Sequence, residues 1–269
     1  MAESMRDAPK LEVRDVCMRF RRQGADSDFE VLNSISFCVY EGERYSLVGP
    51  SGCGKTTLLN IIAGFERPTT GEVLVDGAPV RGPDPSRAVV FQEDALFPWL
   101  TALDNVRFGP CVRGRRESAD KWKELLKTVG LEGFDDYYPA QLSGGMRQRV
   151  AVARALANEP AVLLMDEPFG ALDALTRTQM HEWLLELWRR FRFTVVFVTH
   201  DIDEAILLSD RVGVMAGAPG RLIGEVEIKL GEPRKAEVTV SSEFAELKGS
   251  VLELLGMGWR GVGNVRSRS

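Results

Sequence analysis

The chain has 269 residues, 44% of them apolar and 27% charged, with a net charge of −5; this suits one large globular domain or two small ones and excludes the disordered and fibrous classes. The acidic balance gives no global pull toward nucleic acid, and no stretch approaches the ~18 uncharged apolar residues of a membrane span. The opening segment, with Glu3, Arg6, Asp7 and Lys10, lacks the apolar run of a secretory signal, while four scattered cysteines (17, 38, 53 and 111) and two histidines argue against a zinc cluster or disulfide framework and for a reducing cytoplasm.

In chain order, a first strand ends near Phe20. Leu32–Tyr40 alternates, with Ile35, Phe37 and Val39 expected on a buried face and Leu32, Ser34, Ser36, Cys38 and Tyr40 on the other. Tyr45–Val48 is a short buried strand ending at Gly49. Lys55–Ala63, rich in Leu and Ile without Gly or Pro, predicts a helix. Glu72–Val75 followed by Asp76-Gly77 signals a hairpin, and Ala88–Phe91 is another strand. From about 94 to 159 the pattern turns helical, with helices expected at Ser118–Val129 and Ser143–Ala157. Strands return at Val162–Met165, Thr194–Val198, Arg211–Met215 and Leu222–Val226. Between them lie helices at Leu172–Phe191, whose apolar face holds Met180, Trp183, Leu184, Leu187 and Trp188, and at Glu204–Leu208. Ser242–Leu255 predicts a last helix, and Gly261–Ser269 reads as a frayed tail. Strands alternating with helices imply an α/β class with a mainly parallel sheet and a helical insertion. No internal repeat is visible.

Three segments carry chemistry. Gly49, Pro50, Ser51, Gly52, Cys53, Gly54, Lys55 and Thr56 fit G-x-x-x-x-G-K-S/T, and they lie after a predicted strand and before a predicted helix. Such a loop aims backbone N–H groups at phosphate oxygens and adds the positive end of a helix. Lys55 would reach the β- and γ-phosphates, Thr56 would ligate Mg²⁺, and Thr57 would bond phosphate. Cys53 is expected to be a small loop residue, not a nucleophile. Next, the Val162 strand delivers Asp166 and Glu167 to the sheet's carboxyl edge. One carboxylate there can hold Mg²⁺ or its waters, and the other can orient and deprotonate an attacking water. Finally, Ser143, Gly144 and Gly145 precede a helix, where the Ser143 hydroxyl, the Gly145 N–H and the helix dipole make an anion site.

Together these ordered motifs, from about residue 10 to 230, resemble the ATP-binding cassette (ABC) ATPases. The resemblance implies a P-loop NTPase core with a mainly parallel sheet, an N-terminal antiparallel β part and an inserted helical subdomain. It divides the chain into 1–93 and 160–230 as the nucleotide-binding core, 94–159 as the helical subdomain with the signature Ser143–Gly145, and 231–269 as a C-terminal extension. It implies ATP and Mg²⁺, with Gln92 near metal and water and Gly170–Asp173 touching a partner subunit. His200 is the implied switch at the γ-phosphate, and Phe20 the implied stacking platform for adenine, with Phe29 as substitute. His181, among polar neighbours on a helix, is expected to be solvated or at the core's edge. Ser143 and Gly145 would bind the γ-phosphate held by the opposite subunit.

Phe91–Thr101 with Asp104-Asn105-Val106, Glu167–Arg177 and Pro219–Ile223 further resemble importer ATPases of the nitrate/sulfonate/taurine group. That resemblance implies a homodimer at the cytoplasmic face of the membrane, under two transmembrane permease subunits fed by an extracytoplasmic solute-binding protein, with no nucleic-acid partner. The bulky cluster Phe97, Pro98, Trp99 and Leu100 either lines a groove for a permease helix or packs inside the helical subdomain. Alternatives are an exporter ATPase, or a soluble ABC ATPase of DNA repair or translation. The interval between phosphate loop and signature has no sustained heptads, as a repair protein would need, and the chain holds one cassette. A guanine-reading Asn-Lys-x-Asp is absent.

Overall fold

A computed structural model describes residues 8–21 and 28–256. The polar stretch 22–27 and the expected tail 261–269 lie outside the described residues. The strands are β1 (Leu11–Phe20), β2 (Phe29–Val39), β3 (Arg44–Val48), β4 (Thr70–Val75), β5 (Ala78–Pro79), β6 (Arg87–Val90), β7 (Val162–Asp166), β8 (Thr194–Thr199), β9 (Arg211–Ala216) and β10 (Arg221–Glu227). The helices are α1 (Lys55–Ala63), α2 (Ala102–Val112), α3 (Ala119–Thr128), α4 (Gly144–Leu156), α5 (Ala174–Phe191), α6 (Ile202–Leu208) and α7 (Ser242–Leu254).

Two sheets form. One is antiparallel, in the order β2-β1-β4-β5; the other has the order β10-β9-β3-β8-β7-β6. In the second, β9, β3, β8, β7 and β6 run parallel and β10 closes one edge antiparallel. The parallel strands are apolar on both faces, as a sheet covered on both sides requires. Along β7, Val162 and Leu164 join a core shared with α1 and the antiparallel sheet, whereas Leu163 and Met165 join the core formed with the helices of the other face.

The alternation expected along β2 breaks at one point. Between the Met18–Leu32 and Val16–Ile35 pairs, β2 carries one residue more than β1, with Ser34 at φ 49°. This bulge flips the pleat. Leu32 is therefore fully buried on the same face as Ile35, Phe37 and Val39, not on the polar side. A compensating bulge lies in β1 at Asp15, whose carboxylate accepts the Ser34 and Ser36 hydroxyls, each at 3.1 Å.

Helix α2 has no counterpart in the sequence-based expectation, because Gly109 and Pro110 in its last turns read as breakers. It forms because Thr101 caps it, accepting the Asp104 N–H at 3.2 Å, and because Leu103 and Val106 bury against α3 and α4. Its fully buried Asn105 accepts the Phe97 N–H at 2.9 Å and reaches the carbonyls of Phe97, Leu100 and Thr101. One internal amide thus fixes the loop that carries the aromatic cluster. Among the described residues, no helix is long and apolar enough to cross a membrane.

Candidate active site

The phosphate loop is clamped between two strands. A Cβ at Gly49 would stand 2.2 Å from the Met215 carbonyl of β9. Gly54 adopts φ 90°, and a Cβ there would stand 2.6 Å from Leu32 Cδ2, so the bulge that turns Leu32 inward also builds the floor of this loop. Helix α1 starts with no side-chain cap, which leaves its first N–H groups for an anion. Lys55 is only 6% exposed, and its Nζ donates to the Gly49 and Pro50 carbonyls at 2.7 and 3.1 Å. Two of its three donors are used there. Pro50, Ser51 and Gly52 form the turn above it, and Thr57 follows in the first turn of α1. Cys53 is buried, and burial pushes its thiol up, away from the nucleophilic thiolate.

Thr56 Oγ1 donates to Asp166 Oδ1 at 3.3 Å, joining the start of α1 to the end of β7. Burial raises the Asp166 carboxyl above its ordinary pKa, and the neighbouring Glu167 charge adds to the rise. A hydroxyl paired with a carboxylate whose charge is costly to bury fits a small hard cation. Among the described residues, no cluster of three or more His, Cys, Asp and Glu side chains could hold a metal alone, so waters or substrate oxygens would complete the shell.

Glu167 sits at φ 44°, a left-handed backbone that L side chains rarely take. Its N–H donates to the Val198 carbonyl at 2.8 Å, which pins it to β8. Its Oε2 lies 3.0 Å from His200 Nδ1. Beside this pair a cavity of about 40 Å³ is lined by Glu167, Gly170, Arg177, Thr199, His200 and Glu204 among others, room for one water. Gln92, exposed after β6, lies close to Gly170, with Nε2 3.2 Å from where a Cβ there would stand.

The signature residues stand apart. Ser143 caps α4 by accepting the Met146 N–H at 3.3 Å. Gly144 and Gly145 pack so closely on Leu172 and Thr176 that added Cβ atoms would stand 3.3 and 3.1 Å from them. Among the described residues, no hydrogen bond or ion pair joins Ser143, Gly144 or Gly145 to the phosphate loop, Asp166, Glu167 or His200. Asp173 has a structural task that the sequence reading did not include: it caps α5, accepting the Leu175 and Thr176 N–H groups at 3.1 and 3.0 Å. The Thr176 hydroxyl helps hold its carboxyl below the usual range. Phe20 and Phe29 are both exposed and stand directly opposite each other across the β1–β2 pairing.

The motifs gave no role to the arginines that tie these parts together. Arg147 donates to Asp94 at 2.8 Å and to the Leu142 carbonyl at 2.9 Å, and Arg154 to the Ala95 and Asp94 carbonyls at 2.7 and 3.1 Å. Their spacing of seven puts both on one face of α4, a signal that was available in the sequence. Arg177 holds the turn after Glu167 by its bonds to the Phe169 and Leu172 carbonyls at 3.2 and 2.9 Å. Trp99 is 70% exposed and its ring lies tilted against Phe97, which in turn packs on Phe108. Of the two readings of that cluster, packing of Trp99 inside the helical region is excluded.

Residues 32–170 match the ABC transporter family. The chain is 50% identical to an uncharacterised ABC transporter ATP-binding protein of Methanocaldococcus jannaschii, over 91% of each. It is 45% identical to the taurine import ATP-binding protein TauB of Jannaschia sp., over 93% of this chain and 94% of that one. It is 43% identical to the aliphatic sulfonates import ATP-binding protein SsuB of Bacillus cereus, over 90% and 94%. Among solved structures, a dimeric ATP-binding cassette in a post-hydrolysis state with ADP and Pi is similar at TM-score 0.68 and 34% identity, covering 82% of this chain and 100% of that one. The cbiO1 protein of Clostridium perfringens, part of the transporter complex cbiONQ, is similar at TM-score 0.72 and 28% identity, over 93% and 98%.

Proposed function

The chain belongs to the ABC transporter family and is an ATP-binding cassette ATPase, and from that premise we propose that two copies of it drive an importer of small sulfonates or related anions through separate permease subunits. The observation that carries the chemical reading is convergence. Lys55, the Thr56–Asp166 pair and the Glu167–His200 pair all lie where the neighbouring strands β3, β7 and β8 end.

In this reading the loop N–H groups and Lys55 bind the phosphates, and Phe20, with Phe29 beside it, stacks on adenine. Thr56, Asp166 and Gln92 hold Mg²⁺, which supplies charge neutralisation at the β- and γ-phosphates when bound. Glu167 orients a water and takes its proton as the oxygen attacks the γ-phosphorus; the bond to the β–γ bridging oxygen breaks and ADP leaves. His200 steadies the γ-phosphate oxygens. Ser143, Gly144 and Gly145, with their α4 N-terminus and an exposed hydroxyl, complete the site of the other copy, and Asp173 lies at that contact. ATP then bridges the two chains, and its hydrolysis removes the bridge.

The segment 94–159 acts as a helical subdomain between the core parts 1–93 and 160–230, with 231–269 as an extension. Its exposed Trp99 and Phe97, held by Asn105 and tied through Asp94 to α4, suit a short permease helix. The chain would thus sit at the cytoplasmic membrane face, with a solute-binding protein on the far side. The taurine and sulfonate names of its relatives support the solute class. Reconstitution in vesicles with its permease and binding protein tests this: taurine or an alkanesulfonate should raise ATP turnover. Absence of stimulation by any sulfonate would refute the solute class, and failure to co-purify with a permease would refute the importer.

A further inference from the structure

His181, expected to be solvated or at the core's edge, is 9% exposed and paired with a carboxylate that none of the motifs contains. Glu204, on α6, is itself only 6% exposed. His181 Nε2 lies 2.8 Å from Glu204 Oε1, and its imidazole packs edge-on against Phe169, two residues past Glu167. The other carboxylate oxygen of Glu204 accepts the Thr199 hydroxyl. Thr199 Oγ1 in turn accepts the Asp201 N–H at 3.0 Å. Thr199, just before His200, is therefore tied directly to the buried carboxylate, and Asp201, just after it, is tied through the Thr199 hydroxyl. Glu204 and Thr199 also line the small cavity that Glu167 and His200 share.

Burying a carboxylate and an imidazole costs stability unless every polar atom is satisfied, and apolar residues of similar size would fill the space more cheaply. What the pair supplies instead is a fixed geometry. His200 itself is exposed and lies 3.0 Å from Glu167, so few neighbours around its ring hold it and the backbone that carries it matters. We propose that Glu204, held by His181, is a positioning residue for His200: it fixes the backbone on both sides of that histidine and so sets the imidazole against Glu167. This rests on the roles given above to His200 and Glu167.

The sequence contains two histidines, so the Cε1–H resonances of the full chain labelled with ¹³C-histidine give a two-line NMR probe, assigned with His181→Gln and His200→Gln. Glu204→Gln keeps the size and removes the charge; Thr199→Val removes the hydroxyl and keeps the shape. In either variant the His200 resonance should move, and kcat for ATP should fall by about ten- to a hundredfold, as small misplacements at a reacting centre do, while the Kd for a fluorescent ATP analogue changes by less than about twofold. His181→Gln, which still donates to Glu204, should retain more turnover than His181→Ala. An unmoved His200 resonance, or a kcat loss matched by the loss of folded protein, would overturn the proposal. Full turnover in His200→Ala would instead remove the earlier reading of His200 itself.

Discussion

Glu167 combines a left-handed backbone, a main-chain bond to β8 and a side-chain contact with His200. A residue held so firmly in an unfavourable conformation is held for its side chain's direction. Glu167→Gln keeps that direction and removes the proposed base. Turnover of the purified chain should fall by roughly 10²–10⁴ with ATP binding retained, and near-normal hydrolysis would remove Glu167 from the role. Asp166 makes a complementary prediction. Burial raises its carboxyl pKa in the folded chain, so its contribution to stability is full below the unfolded pKa and is lost as pH rises through the folded one. In the nucleotide-free chain, Asp166→Asn should therefore raise the melting temperature at pH 7.5, and the gain should shrink as pH falls toward the acid range. A constant difference across that range, measured by calorimetry, would show that buried charge is not what Asp166 costs the fold. The carboxylates, Lys55 and Ser143 were legible in the sequence because their chemistry fixes residue type and spacing. Thr199 and Glu204, five residues apart, match no motif spacing, and His181 joins them from 23 residues before Glu204 only through the packing of α5 on α6, so their connection was not legible.

At the scale of elements, the strands and helices that bury a regular apolar pattern could be read directly. Lys55–Ala63 is a helix over the expected residues, and β7 and β8 differ from expectation by one residue at the end. Two elements were hidden for physical reasons. In β2 an alternation of period two cannot reveal a bulge, and the bulge at Ser34 reversed the face of Leu32, which proves to support the phosphate loop. In α2 the stabilising groups are a Thr101 cap and a buried amide, whereas local propensity near Gly109 and Pro110 points away from helix. Helix α2 matters because Asn105 holds the loop bearing Trp99 in place. Trp99→Ala should leave the melting temperature within about 2 °C of wild type, as exposed substitutions do. The isolated chain should still hydrolyse ATP while its assembly with the permease falls. A variant that assembles normally would show that the exposed ring serves another surface.

Across the whole molecule, the site divides unequally. Lys55, Thr56, Asp166, Glu167 and His200 gather at one sheet edge, while Ser143, Gly144 and Gly145 begin a helix that, among the described residues, bonds to none of them. A second copy, related by a two-fold axis, would bring each α4 N-terminus to the other's phosphate loop. On the proposed function the acidic chain with its exposed aromatic cluster would have two faces to occupy, one against its copy and one against the permease. Co-expression of two disabled chains tests whether the site is shared between copies. Lys55→Ala removes the phosphate lysine, and Ser143→Arg blocks the signature by size and charge, so either variant alone should be inactive. In the co-expressed mixture half of randomly paired dimers are mixed, each with one intact site of two, so turnover per chain should recover to about a quarter of wild type. A mixture no more active than the two variants measured separately, or a Ser143→Arg chain as active as wild type, would contradict it.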